Sequence, residues 1–199
     1  MLVANRQPET VVLLFAFCNA LWYNYGMEIE LCKQAEIAEV GAFYDQVVKY
    51  LTEHVNYPKW MYKQYPSEQS VRDMTNAGCQ YVCRDGGQIV AVFVLNDDPD
   101  DEYATVNFSR KLQQGEHLVI HALAVATQLQ AQGLGKQLVQ YCIGYARNHC
   151  YKAIRLDVVP TNYPAKKLYE QCGFQFIGDY DLGRGYEHIP FFSMYELNF

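Results

Sequence analysis

Charge is scarce in this sequence. Asp, Glu, Lys and Arg make up 19% of its 199 residues, below the usual quarter or so. What charge there is sums to −6, which argues against a general binder of nucleic acid or of anionic membranes and leans mildly towards a cationic partner. Long apolar runs are also missing. Val11 to Phe17 is solid, with a weak extension to Tyr23, but a bilayer span needs roughly 20 such residues. Only Arg6 precedes that run and no clear small-x-small site follows it, so a secretory signal is poorly formed. No Cys-x-x-Cys pair and no Cys/His cluster with ligand spacing occurs, which argues against a metal site. The cysteines number seven, an odd count scattered along the chain. They read as buried or half-buried thiols of a reducing compartment, hence a cytoplasmic protein. Repeats, low-complexity tracts and long linkers are absent, leaving one domain as the natural unit.

Against that background stand 50% apolar residues and 15% aromatics, with 17 tyrosines, enough for a sizeable core. A strand pattern starts at Met27, so residues 1–26 read as an N-terminal extension and 27–199 as the domain. Met27, Ile29 and Leu31 alternate as a strand. Ile37, Val40, Tyr44, Val47, Val48 and Leu51 mark an amphipathic helix over about 36–54. An aromatic stretch, residues 53–67, is broken by Pro58 and Pro66 into a loop or broken helix. Ser67 caps a helix over 68–77 without a full capping box, and Gly78 ends it. Residues 79–84 and 88–95 form a hairpin around Asp85-Gly86-Gly87. Residues 96–102 are an acidic loop, and 103–115 carry no firm pattern. A strand over 118–126, a helix over 134–148, a strand over 153–159 and a helix from Asn162 to Gly173 follow. Strands over 174–181 and 191–198, around Gly183-Arg184-Gly185, close the chain.

The chain is organised around residues 118–136. An apolar strand, Leu118 to Ala126, runs into the polar turn Gln130-Ala131-Gln132-Gly133-Leu134-Gly135-Lys136. A helix starts at once, with Leu134, Leu138, Tyr141, Cys142 and Tyr145 at spacings of three and four. Such a junction offers free N–H groups to an anion, and Gly133 and Gly135 would let the main chain approach a phosphate closely. The spacing is neither a P-loop nor Gly-x-Gly-x-x-Gly. Instead, Gln130-x-x-Gly133-x-Gly135 resembles the acetyl-CoA turn of the GNAT superfamily of N-acetyltransferases. Asn162-x-x-Ala165-x-x-Leu168-Tyr169-x-x-x-Gly173-Phe174 resembles that family's second motif, on the expected elements. Together the two cover 118–174.

The resemblance implies an α/β (α+β) domain with a mixed, twisted sheet of six or seven strands. Strands 118–126 and 153–159 would be parallel neighbours that splay apart to admit the pantetheine arm. It further implies acetyl-CoA as cosubstrate, with its diphosphate on the N–H groups of Gln132, Gly133, Leu134, Gly135 and Lys136. The pantetheine would lie against the backbone of Leu123, Ala124 and Val125. Gln130 would shape or touch that turn. Asn162 would reach the cofactor, or simply cap its helix. Tyr169 would be the general acid that protonates the departing thiolate, a role that competes with that of a core tyrosine.

The residues leave the base open. His121, two positions before Leu123, would share its side of a regular strand and has a suitable ordinary pKa of about 6.5; Glu116 and Asp157 are the other candidates. Trp60, Tyr62 and Tyr65, with Asp157, would line the acceptor side, although packing explains the same aromatics. The expected activity is transfer of acetyl from acetyl-CoA to a primary amine, small or peptidic, by direct attack in a ternary complex. No nucleic-acid or membrane partner and no metal are expected, and a homodimer is suggested only by analogy. The alternatives are an inactive acyl-CoA-binding sensor of the same fold and a structural subunit that uses the aromatic loop as an interface.

Overall fold

The structure, a computed structural model, describes residues 27–97 and 103–199. The expected N-terminal extension and most of the acidic loop after Asn96 lie outside the described residues. The order of elements is β1 (Met27–Leu31), α1 (Ile37–Glu53), α2 (Glu68–Asn76), β2 (Gln80–Asp85), β3 (Gln88–Asn96), β4 (His117–Val125), α3 (Leu134–Asn148), β5 (Ala153–Val158), α4 (Tyr163–Gln171), β6 (Gln175–Tyr180) and β7 (Phe192–Asn198). These match the elements expected from periodicity, with ends shifted by a residue or two. Two single-turn 3-10 segments, Gln34–Glu36 and Thr127–Leu129, were not legible as patterns. The α2 start is better formed than expected. Ser67 Oγ accepts from the Ser70 N–H at 3.2 Å while Ser70 Oγ accepts from the Ser67 N–H at 2.8 Å. Serine thus completes the reciprocal cap that Glu or Gln more often provides.

Seven strands form one mixed sheet in the order β1-β2-β3-β4-β5-β7-β6. All neighbours are antiparallel except β4 and β5, whose parallel pairing requires the α3 crossover between them. Gly86 and Gly87, both at positive φ, make the tight turn of the β2–β3 hairpin.

One sheet face is covered by α3 and α4. Leu138, Val139, Cys142 and Ala146 of α3 and Tyr169 of α4 pack there against Phe93, Leu118, Ile120 and Ile154. The other face is covered in two parts. Val40, Tyr44 and Val47 of α1 pack on Val82, Val92 and Ala124. Tyr103, Phe108 and Ile189 pack on Val119 and Met194. Each such buried aliphatic or aromatic side chain contributes roughly 1.5–3 kcal/mol of transfer free energy.

The stretch after Tyr103 forms no helix or strand but is fixed by side chains. Arg155, almost wholly buried on β5, lies 3.8 Å from the Phe108 ring centroid and donates to the Arg110 carbonyl at 2.8 Å. Glu196 on β7 accepts the Ser109 N–H at 2.8 Å.

Candidate active site

The site begins where β4 and β5 part. Their register runs through His117↔Ala153 and Leu118↔Ile154 and ends at Val119↔Arg155, although both strands continue beyond. On its other side β4 carries a bulge, since Val92 faces Ala124 but Val94 faces His121. The extra residue is Ala122, at φ 47, and the Tyr44 hydroxyl donates to its carbonyl at 2.7 Å.

A bulge reverses the alternation of side chains beyond it. Leu118, Ile120, Leu123 and Val125 therefore pack towards α3, while Ala124 and Ala126 pack towards α1. This corrects the expectation that His121 and Leu123 share a side. His121 lies before the bulge, on the face of Val119 and Tyr103; Leu123 lies after it, on the opposite face. The Ala126 N–H bonds to the Val90 carbonyl on β3 at 2.9 Å. Alternation along β4 then turns the main-chain groups of Leu123 and Val125 towards β5, into the gap. Gln130 reaches back across the turn, its Nε2 donating to the Val125 carbonyl at 3.2 Å.

α3 starts at the rim of this gap with an unusual lack of capping. Its N-cap is Gly133, at φ 90, without a side-chain cap and without an acidic residue in the first turn. The first intrahelical bond runs from Gln137 N to Gly133 O at 3.1 Å, so the amides just before it have no acceptor in the helix. Gly133 is required by its left-handed φ. Gly135 is helical, and a Cβ there would meet only Leu168 Cδ2, at 3.4 Å, so the main-chain surface is open. Gly133, Gly135 and Lys136 line the cleft. Gln132 and Leu134 do not: the Gln132 side chain bonds the Gln128 carbonyl at 2.8 Å and Leu134 is buried in the core, leaving only their main chain to offer. Asn162 lines the cleft and caps α4, accepting the Ala165 N–H at 3.3 Å.

Tyr169 lies on the cleft wall, edge-on to Phe174 with ring centroids 5.6 Å apart. Among the described residues nothing bonds its hydroxyl. Burial, reinforced by Cys142, Asp157 and Cys172, pushes the phenol well above its ordinary value, so it stays protonated at neutral pH.

On the far side of the gap, Asp157 of β5 is held from three directions. Arg184 bonds both carboxylate oxygens, at 3.0 Å each, and the Tyr103 hydroxyl donates at 2.6 Å. Burial alone would raise this carboxyl, but the Arg184 charge and hydrogen bonds, His121 and the Tyr103 hydroxyl together hold it below its ordinary value. An ionised carboxylate tied to a guanidinium is a poor proton acceptor, so Asp157 is not the free base the sequence allowed. Nor is Glu116, which pairs with Lys152 and accepts the Gln113 N–H at 2.9 Å outside the cleft. His121 lines the cleft, its Nε2 3.2 Å from Asn96 Oδ1. An amide oxygen only accepts, so this contact requires a form of the ring that carries a proton on Nε2.

The Asp157 arrangement makes a stability prediction. A carboxyl whose folded pKa lies below its unfolded value of about 3.9 contributes fully above that pH and loses its contribution as pH falls through the folded value. The native chain should therefore lose stability more steeply below about pH 4 than an Asp157→Asn variant. Urea melts across pH 2–6 read this directly, and parallel acid limbs would refute it.

The whole cleft has a volume of about 1260 Å³ and draws its lining from both faces of the sheet. The cleft thus reaches from the α3 and α4 side of the sheet to the α1 side. Trp60 and Tyr65 line the cleft, and Trp60 stands edge-on to Tyr44 with centroids 6.0 Å apart. Tyr62 does not line it. It sits exposed at the tip of the Met61–Tyr65 turn with Lys63 Nζ 5.5 Å from its ring centroid, so the turn geometry, not residue type, separates it from its neighbours.

A model of the acetyltransferase (GNAT) family matches residues 44–174. The chain belongs to that family. The rat protein "N-acetyltransferase family 8 member 2" is 28% identical over 103 residues, which are 52% of this chain and 41% of the rat protein. The chain thus spans less than half the length of that relative. A GNAT-family acetyltransferase of Streptococcus agalactiae superposes with a TM-score of 0.73 at 17% identity, covering 87% of this chain and 96% of that one. A GNAT-family acetyltransferase of Listeria monocytogenes gives 0.68 at 14% identity, over 87% and 95%. The yncA protein of Salmonella typhimurium, solved with its cofactor acetyl-CoA, gives 0.60 at 15% identity, over 86% and 93%. At these identities the structures establish the fold. GNAT acetyltransferases use acetyl-CoA, and the residues here fit such a ligand: an uncapped helix start bared by glycine, and beside it a strand edge facing a gap.

Three residues of the site escaped the sequence reading. Arg184 is a lone cation between two glycines, and that flanking was its only signal. Tyr103 fell in an unpatterned stretch. Tyr44 looked like one more residue on an amphipathic helix, yet its hydroxyl fixes the bulge.

Proposed function

We propose that this GNAT-family chain is an active N-acetyltransferase that moves an acetyl group from acetyl-CoA to a primary amine by direct attack. The observation that carries the proposal is the position of Tyr169. Tyr169 lines the same cleft as the bare α3 start and His121.

When bound, acetyl-CoA supplies an acetyl group activated as a thioester. The amides of Gly133 to Lys136, at the positive end of α3, hold the diphosphate, and the Lys136 ammonium adds charge. Main-chain groups of Leu123 and Val125 bind the pantetheine amides as a neighbouring strand would. Asn162 and Gln130 keep the two walls of the gap in place. The His121 imidazole takes the amine proton, because only a neutral amine is nucleophilic, and Asn96 holds the ring at Nε2. A new N–C bond forms, the C–S bond breaks, and Tyr169 gives its proton to the sulfur, so the products are an amide and a neutral thiol. The phenol recovers a proton from solvent. No side chain is acetylated on the way.

Two measurements test this together. Acetyl-CoA at 100 times its Kd should stabilise the chain by about 2.7 kcal/mol, by linkage, seen as a rise in Tm. A panel of primary amines should then release free thiol at rates above hydrolysis. A rise in Tm without thiol release from any amine would instead mark a sensor that kept the fold and lost catalysis.

A further inference from the structure

The bulge on β4 decides which main-chain groups face the gap, and a side chain from another element holds it. Neither Ala122 nor Leu123 has a partner in the β3–β4 register, where Val94 faces His121 and Val92 faces Ala124. Both stand opposite Phe93, the two-against-one count of a bulge. The side-chain pattern alone requires one extra residue here, because Leu123 and Val125 pack towards α3 while Ala124 and Ala126 pack towards α1. That pattern leaves open how the peptide between Ala122 and Leu123 is turned. The peptide is trans, so its carbonyl and its N–H point in opposite directions.

Tyr44 fixes the orientation. It lies on α1 with 1% of its surface exposed, and its hydroxyl donates to the Ala122 carbonyl at 2.7 Å. With the carbonyl drawn to the α1 side, the Leu123 N–H is aimed away from α1. Ala122 meanwhile sits at φ 47, a left-handed conformation that is unfavourable for alanine and persists where its surroundings hold it. The donor is itself fixed. Its ring stands edge-on to Trp60, and Asn56 clamps the Trp60 main chain, donating to its carbonyl at 2.7 Å and accepting its N–H at 3.1 Å. Burial pushes the Tyr44 phenol well above its ordinary value, so the hydroxyl remains a donor through the neutral and mildly alkaline range.

We infer that Tyr44 is a positioning residue for the cofactor: its hydroxyl sets the Ala122–Leu123 peptide, and through it the main-chain edge that receives acetyl-CoA. Tyr44→Phe would keep the ring and its packing but release the carbonyl. The peptide would then populate other orientations, and the apparent affinity would fall with the fraction of chains still correctly turned. The loss is in binding rather than chemistry, because saturating cofactor selects the correctly turned form and His121 pairs with Val94 before the bulge. The inference rests on the acetyl-transfer reading only in placing the cofactor along this strand edge.

Isothermal titration of the full chain with acetyl-CoA is the experiment. Tyr44→Phe should weaken binding about 10-fold, the effect of one net hydrogen bond. In turnover with an amine that the native chain accepts, it should raise the KM for acetyl-CoA by a similar factor and leave kcat within about 2-fold. Val40→Ala is the control. Val40 is buried on the same helix against the same sheet face and does not line the cleft, so its truncation should lower Tm at least as much while the Kd stays within about 2-fold. A second measurement needs no variant: in the native chain the Leu123 amide should shift in NMR spectra and gain protection from hydrogen exchange when acetyl-CoA binds. Native affinity in Tyr44→Phe, equal weakening in both variants, or a Leu123 amide indifferent to acetyl-CoA overturns the inference. The expected binding pattern with no thiol release from any amine upholds the positioning role and sinks the transfer reading; a native chain that binds no acetyl-CoA sinks both.

Discussion

Tyr169→Phe should lower kcat about 100-fold, the lower end of what a positioned proton donor contributes, while the KM for acetyl-CoA and the Tm change little. The substitution removes one oxygen whose hydroxyl bonds no described residue, so no internal hydrogen bond is lost with it. The ring itself, packed edge-on against Phe174 at 5.6 Å, is unchanged. What is lost is a proton for a leaving thiolate whose ordinary pKa is about 8.5. Because burial holds the phenol well above its usual value, Tyr169 itself should not titrate in the neutral range, and its loss should depress activity evenly from pH 6 to 9. A variant with wild-type kcat would place the proton donor elsewhere.

Gly135→Glu should weaken acetyl-CoA binding by about 100-fold or more, yet leave the unliganded chain as stable as before or slightly more so. The two effects have opposite signs for one reason. An acid in the first turn of a helix satisfies the positive end of the macrodipole, worth roughly 0.3–1 kcal/mol, and any side chain in place of glycine favours the helix by a similar amount. The sole steric contact, Leu168 Cδ2 at 3.4 Å from the new Cβ, is the tip of a movable side chain. A carboxylate there competes with the diphosphate for the same amides. At about 4 Å from a phosphate oxygen, with an effective dielectric near 20, the repulsion is about 4 kcal/mol. Thermal melts with and without acetyl-CoA read both effects in one titration; a variant that still shows the full ligand-induced shift would remove the helix start from the binding site.

Much of the architecture was legible because burial is periodic. The α3 spacing from Leu134 to Tyr145 marked one face of a helix, and Gly133 and Gly135 marked a bare turn at its start. The strand patterns on either side then placed Asn162 and Tyr169 on the next helix. The same logic failed at His121. Strict alternation put it beside Leu123, but Ala122 takes a positive φ that alanine does not advertise, and one extra residue turned the histidine to the other face. It failed again at Tyr62, which has the same composition signal as Tyr65 and sits three positions before it, outside the cleft. Arg184 and Asp157 are 27 residues apart in sequence, and no local pattern could pair them.

By itself the sequence determined the elements, their order and the glycine-bared helix start, because backbone preference and hydrophobic period are local properties of a chain. Tertiary structure alone decided which polar groups meet. The parting of β4 from β5 after Val119, the bulge held by Tyr44 and the neutralising of Asp157 by Arg184 all depend on distances between remote segments. Those distances are set by how the two sheet faces pack.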